Sequence, residues 1–530
     1  MVAEFEDFVD RHVDRIRDLE CEKNRFYWKA ATGGSDRDYR ELASLKLRIG
    51  KIYSDRDDFE YIRNFVEKED PEDPVIDRTA RVLYLRYLGM QIREDLLREI
   101  FDLSSELTRR FNTFRPRLEG RDVTDNDIRD ILSGEDDVEV RRKAWEAHKR
   151  VGEEITPDLI RLVEMRNRGA AEAGFDNFYS MSLYLSETDG NELFNLLDRL
   201  EEMTREPFRR VKDRLDQKLC GSYGISPGAI MPWHYSDPFF QRSRPVSGFD
   251  LDPLFSGREL AGIAADYYRS LDMPVDGVLE RSDLYQREGK SPHAFCVDID
   301  REGDVRILAN IRGNAKWMGT LLHELGHAVY DLHIDSSIPY LLRKYPHFCL
   351  TEASAMFFEG MLTEPGWLKR YGGAGLSEQE ANALTAASNG QKLIFSRWCQ
   401  TMVRFERELY RDPHQDLNSL WWEMVEKYQF VNPPPGRSRP DWGSKIHFVT
   451  SPVYYHNYLL GALIAAQLNG YISDNIVDDI SAGKEQLSGF LKEHIYGPGN
   501  LHRWDRLLEK GTGERVQPDY YAESLKGDLE

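Results

Sequence analysis

The sequence predicts an almost entirely α-helical protein with one small β-hairpin, and three observations carry that prediction. Apolar residues recur at helical spacing through most of the chain, Pro and Gly break the pattern only locally, and one short segment alternates as strands do. Phe5, Phe8, Val9, Val13, Ile16 and Leu19 make one apolar stripe on a first helix. Similar stripes run over about 76–116, 137–173, 190–220, 256–271 and 378–412. Breaks fall in GISPGAIMPWHYSDPFF (224–240) and VNPPPGRSRPDWG (431–443). HAFCVDID (293–300), the turn REGD and VRILANI (305–311) read as the hairpin. An exposed strand edge there would suit pairing with an extended peptide. The tail after about 511 is polar and is expected to be loosely held.

Composition narrows the function class. The chain has 530 residues, 41% hydrophobic and 31% charged, as in globular proteins. Its formal charge of −21 repels phosphate backbones and anionic lipids, so no nucleic-acid or membrane partner is expected. The cysteines Cys21, Cys220, Cys296, Cys349 and Cys399 have neither disulfide-framework nor zinc-knuckle spacing. The N-terminal stretch lacks the basic and apolar regions of a secretory signal, and YLLGALIAAQL (458–468) is too short to span a bilayer. The expectation is a cytoplasmic protein with reduced thiols.

The most informative segment is NAKWMGTLLHELGHAVYDLH (314–333). Asn314 suits an N-cap, and Met318, Leu322, Leu325 and Val329 make an apolar face. His323 and His327 lie four apart, so both imidazoles project from one side of successive turns and can share a metal. Glu324 is rotated off that pair and can act as a base on the attacking water. Thirteen histidines in 530 residues would give His-Glu-x-x-His by chance on the order of 0.03 times. A solvated surface helix is the competing reading, and the apolar flanks argue against it. Glu352, in LTEASAMFFEGML, supplies a third ligand, with Thr351 as the expected helix cap and Glu359 as the alternative ligand. A His-His-Glu set alone also suits non-haem iron; the glutamate after the first histidine favours zinc hydrolysis.

With these motifs in view, the sequence resembles the angiotensin-converting-enzyme family of peptidyl-dipeptidases and, more loosely, the thimet oligopeptidase and oligoendopeptidase F group. The likeness is strongest over about 290–460 and weaker over about 137–235, where AWEAHKRVG and RNRGAAEAGFDNF are similar. It implies a two-lobed helical body around a deep channel, one catalytic unit over 1–530, a helical lid over about 1–120 and a zinc-containing body over about 121–530. It implies one zinc ion on His323, His327 and Glu352. In HAFCVD, His293 would contact the residue after the scissile bond, and the main chain of Ala294 and Cys296 would pair with the peptide. LWWEMVEKYQ (420–429) matches a channel-closing helix. In KIHFVTSPVYYHNYLL (445–460), allowing one inserted residue, Lys445 and Tyr455 would hold the substrate's C-terminal carboxylate, while His447 and Tyr458 would stabilise the oxyanion.

Departures from the family temper those expectations. Val425 and Asn457 stand where chloride-binding arginines would be, with Met181 about at a third, so chloride activation is not expected. No carboxylate-gripping glutamine is evident; Tyr235 lies near its place. The aspartate one turn after the third ligand is Met356, so another group must orient a zinc histidine. The expected activity is zinc-dependent hydrolysis of short unfolded peptides, with release of C-terminal dipeptides. The alternatives are an oligoendopeptidase and a catalytically inactive peptide-binding protein.

Overall fold

The computed structural model describes residues 2–243, 250–373, 375–482 and 484–525. Helices dominate, as the periodicity predicted, and the only sheets among the described residues are two antiparallel strand pairs: the expected hairpin and a second, short pair, Arg117–Leu118 with Arg121–Asp122, that the sequence did not suggest. The chain divides into two compact units. One comprises 1–91, 250–381 and 460–521; the other comprises 92–249, 382–459 and 522–530.

The first unit opens with the helix Val2–Ala31, whose Phe5, Phe8 and Ile16 are buried as the stripe required. Three N-caps start the helices that follow: Ser35, Asp55 and Asp73 each accept a first-turn amide, and Pro74 after the last begins its helix without an amide to leave unpaired. The first helix is tied to the hairpin. Glu20 takes Arg86 at 2.9 Å and Arg301 at 2.5 Å, while Asn24 donates to the carbonyls of Asp298 and Ile299. Trp28 packs edge-on to Phe295. The hairpin pairs Phe295–Asp298 with Val305–Leu308, Cys296 facing Ile307. Arg301 and Gly303 turn the chain at positive φ.

Two helices make the centre of this unit. Ala315–Leu332 starts at Asn314, whose side chain accepts the Trp317 amide at 2.9 Å, as expected. Met318, Leu321, Leu322, Leu325, Ala328 and Val329 are buried. Phe348–Gly360 crosses it at Gly326: a Cβ on Gly326 would stand 2.7 Å from the Ala355 Cα. The Ser354 hydroxyl donates to the Gly326 carbonyl at 2.8 Å and Tyr268 donates to that of Leu322 at 3.0 Å, fixing the crossing.

The second unit is built on Val138–Glu172, Gly190–Tyr223 and Glu378–Arg411. Buried cations hold its irregular segments. Arg141 donates to the carbonyls of Trp233, His234 and Tyr235, and Arg166 donates to those of Phe448 and Val449 at 2.7 Å each.

Three expectations need correction. The stretch 76–116 is two helices, Pro74–Leu88 and Glu94–Thr113, because Gly89 and the residues after it end the first. The helix Phe348–Gly360 is capped by His347, not Thr351, because the chain enters extended at His347. The tail is held as far as Leu525, the last described residue: Tyr521, Ala522 and Leu525 are buried, since they supply an apolar face that composition alone hides.

Filling Gly326 tests the crossing. Gly326→Ala should lower the urea midpoint by the equivalent of about 1–3 kcal/mol, the usual range for an overpacked site. An unchanged midpoint would mean that the two helices separate at no cost.

Candidate metal centre

The helix crossing brings three donors together. The ligating atoms of His323, His327 and Glu352 lie within 4.8 Å of one another. The Glu352 carboxylate stands 3.9 Å from Nε2 of His323 and 3.8 Å from Nε2 of His327. A tetrahedral zinc with bonds of 2.0–2.1 Å needs donors about 3.4 Å apart, so a small contraction would complete the set. Gly461 makes room for it: a Cβ there would meet the Glu352 Cγ at 2.8 Å.

The outer nitrogens of both imidazoles are occupied. His323 Nδ1 lies 3.0 Å from Glu359, and His327 Nδ1 lies 2.8 Å from the Thr351 hydroxyl. Each ring therefore turns Nε2 towards Glu352, the arrangement that metal-binding histidines use. Glu359, the alternative ligand on sequence grounds, is instead the group that orients His323. It sits nearly two turns beyond Glu352, whereas the family spacing directed attention to Met356, one turn beyond. Thr351 was legible only as a cap.

The electrostatics fit a cation held by this set. Burial disfavours charge on His323, but the hydrogen bond and charge of Glu359, with Glu352 and Glu324 behind it, raise its pKa to about 10. Burial and the His323 charge push His327 down to about 3. Burial raises Glu352 as well. Glu324, Glu352 and Glu359 all lie near His323, and a dication held by the donor set would supply positive charge among these acidic groups. Glu324 is buried beside the donors but belongs to no pair among them. Burial lifts its carboxyl to about 7, with His323 opposing, Glu352 and Glu359 adding, and the Cys296 amide opposing. A carboxyl near neutrality can both accept and return a proton.

Around this centre, Cys296 lies in the strand Phe295–Asp298, while Ala294 and His293 precede the strand; His293 is exposed. Tyr27, on the first helix, packs against Phe295 and feels the Glu324 charge.

The second unit holds the other candidates as a separate group. His447 and Tyr455 have ring centroids 5.0 Å apart, and Tyr455 and Tyr458 5.5 Å apart. The buried Nδ1 of His447 has no partner among the described residues. Burial lowers His447 to about 3, helped by Lys445. Lys445 Nζ donates to Gln241 Oε1 at 3.1 Å and lies 5.7 Å from the Tyr455 ring centre. Burial lowers Lys445 to about 8, Asp237 opposing. Gln241, which the sequence reading did not single out, is the glutamine that meets Lys445. Tyr235, assigned near that place, is buried and donates to Asp216 at 3.1 Å. The irregular stretch between them offers no periodicity with which to set a register; a glutamine following two phenylalanines was the available signal. Val425 and Met181 are buried apolar side chains.

Comparison with known proteins agrees with this geometry. Residues 277–526, just under half of the chain, match the model described as Peptidase family M3. The chain is 23% identical over 464 residues to an angiotensin-converting enzyme of Theromyzon tessulatum, covering 78% of this chain and 73% of that one. It is 21% identical over 441 residues to the angiotensin-converting enzyme-like protein Ace3 of Mus musculus, and 22% over 377 residues to an angiotensin-converting enzyme of Oryctolagus cuniculus. These matches cover 73% and 65% of this chain. The chain spans 57% of the mouse protein and 28% of the rabbit protein, less than two thirds of either.

The groups behind the donors can be tested apart from activity. Glu359→Ala and Thr351→Val should each weaken zinc binding by roughly 10–100-fold, measured by competition with a chromogenic chelator. Wild-type affinity in both would remove their orienting role.

Proposed function

We propose that this chain, which matches the peptidase family M3 model over 277–526 and is similar to angiotensin-converting enzymes, is a zinc-dependent peptidase of short, unfolded peptides. The observation that carries the proposal is the convergence of His323, His327 and Glu352 beside a buried carboxyl, Glu324, that is free of the donor set. His323, His327 and Glu352 would hold the zinc. When bound, the metal would polarise the scissile carbonyl and the attacking water. Glu324 takes the water's proton and passes it to the leaving amine. Among the described residues, no helix is long and apolar enough to cross a membrane.

The substrate would lie extended along the strand that contains Cys296, its main chain meeting Ala294 and Cys296 and its next residue meeting His293. His447 and Tyr458 would donate to the oxyanion; the unpartnered Nδ1 of His447 and its neutral state favour that use. Lys445, Gln241 and Tyr455 would hold a free C-terminal carboxylate. A half-buried ammonium that already hydrogen-bonds a neutral amide can accept an anion without breaking an ion pair, which supports release of C-terminal dipeptides. The N-terminal helices would serve as the lid, and the protein would act in the cytoplasm without chloride activation.

Two outcomes follow. Glu324→Gln should retain zinc and fold but lose hydrolysis of a quenched peptide; activity within tenfold of wild type would remove Glu324 as the base. Metal analysis of the same preparations separates zinc from iron, and stoichiometric zinc with no turnover of any peptide would leave a binding protein. Amidation of a substrate's C-terminus should lower kcat/KM at least tenfold in the wild type and hardly at all in Lys445→Met, since a Lys–carboxylate pair away from water is strongly favourable. Equal rates on acid and amide would make the enzyme an oligoendopeptidase.

A further inference from the structure

One face of Glu378–Arg411 meets the segment that carries the tyrosines. Phe395 lies edge-on to Tyr458 at 6.1 Å, and Trp398 edge-on to Tyr455 at 5.9 Å. Two turns further along the same face, Glu406 accepts the backbone amide of Val453 at 2.8 Å. Glu406 is 2% exposed, so its carboxyl sits where an acceptor without a donor would be strongly disfavoured.

Val453 is unusual. Its φ is 54°, and it is the one β-branched residue among the non-glycine residues at positive φ in the described chain. Left-handed backbone crowds a branched side chain, and such residues persist only where their surroundings hold them. Val453 is the bend between the short turn His447–Thr450 and the helix that begins at Tyr455. Arg166 grips the carbonyls of Phe448 and Val449 before the bend; Glu406 grips the amide at it. Because a backbone torsion rotates everything after it relative to everything before it, the φ of Val453 sets how Tyr455 and Tyr458 face His447. An extended or right-handed Val453 would separate rings that now lie 5.0 Å apart.

We propose that Glu406 is a positioning residue: its buried carboxyl holds Val453 in the left-handed conformation and so assembles His447, Tyr455 and Tyr458 into one working group. This rests on the reading that these three residues act on the substrate. Glu406 itself touches none of the reacting atoms. Its task needs an acceptor oxygen and no charge.

The test is a rescue experiment on the full-length zinc enzyme. Glu406→Gln keeps an oxygen in place and should leave kcat within about twofold. Glu406→Ala should lower kcat roughly tenfold or more while zinc content stays stoichiometric, as expected when a strained residue is released. It should add little to Tyr458→Phe, because both act on the same group. Glycine takes positive φ freely, so Glu406→Ala/Val453→Gly should recover most of the lost kcat. Recovery in the double variant supports the proposal even if Glu406→Ala alone does not fold. A folded Glu406→Ala with wild-type kcat, or a double variant that fails to fold or stays tenfold impaired, overturns it. Failure of the underlying reading looks different: Tyr458→Phe and His447→Ala would then themselves turn over at the wild-type rate.

Discussion

Gly326 has no side chain, and the Ala355 Cα lies in the space that one would fill. Through that contact the two helices of the metal centre approach backbone to backbone. Only at such a separation can Glu352, on the second helix, come within 4 Å of two imidazoles on the first. The hydroxyl of Ser354 closes on the Gly326 carbonyl, and Tyr496 lies 2.8 Å from that hydroxyl in turn. The same crossing brings Thr351 to His327 and Glu359 to His323. Ligands and orienting groups are thus set by one contact that contains no polar chemistry of its own.

Burial at this crossing has an electrostatic consequence. Glu324 and Glu352 are buried, and proximity pushes the groups apart: against burial, Glu359 draws the pKa of His323 up, burial and His323 draw that of His327 down, and burial lifts Glu324 to about 7. The excess of carboxylates over cations makes the place receptive to a dication. It also leaves Glu324, rotated off the donor pair, free to move a proton. Spacing along one helix decides which glutamate does which task.

In the second unit the constraint is of another kind. The segment 445–458 is largely irregular, and irregular backbone buried from water must find partners for its amides and carbonyls. Arg166 and Glu406 supply them. Lys445 lies among the rings of Phe239, Trp398 and Tyr455 with Gln241 as its hydrogen-bond partner. A cation among aromatic rings and a neutral amide stays available to an anion in a way that a lysine paired with a carboxylate does not.

Local chemistry was readable in the chain. The helical class follows from apolar period, the hairpin from alternation around REGD, the Asn314 cap from its place before an apolar run, and the donor set from four-residue spacing plus a downstream glutamate. All but the downstream glutamate depend on interactions within a few residues, which sequence order preserves; that glutamate was read from its motif and is brought to the histidines by the helix crossing. Other features were decided by tertiary packing. Glu359 orients His323 because two helices cross where they do, and a one-turn spacing rule pointed to Met356 instead. Gln241 meets Lys445 across 204 residues of chain, from a stretch with no periodicity to give a register. Val453 adopts a left-handed φ that no local preference favours, because a glutamate 47 residues away accepts its amide. Neighbours in the chain set torsional preferences and faces, whereas partners for buried polar groups are found only once the chain has closed on itself.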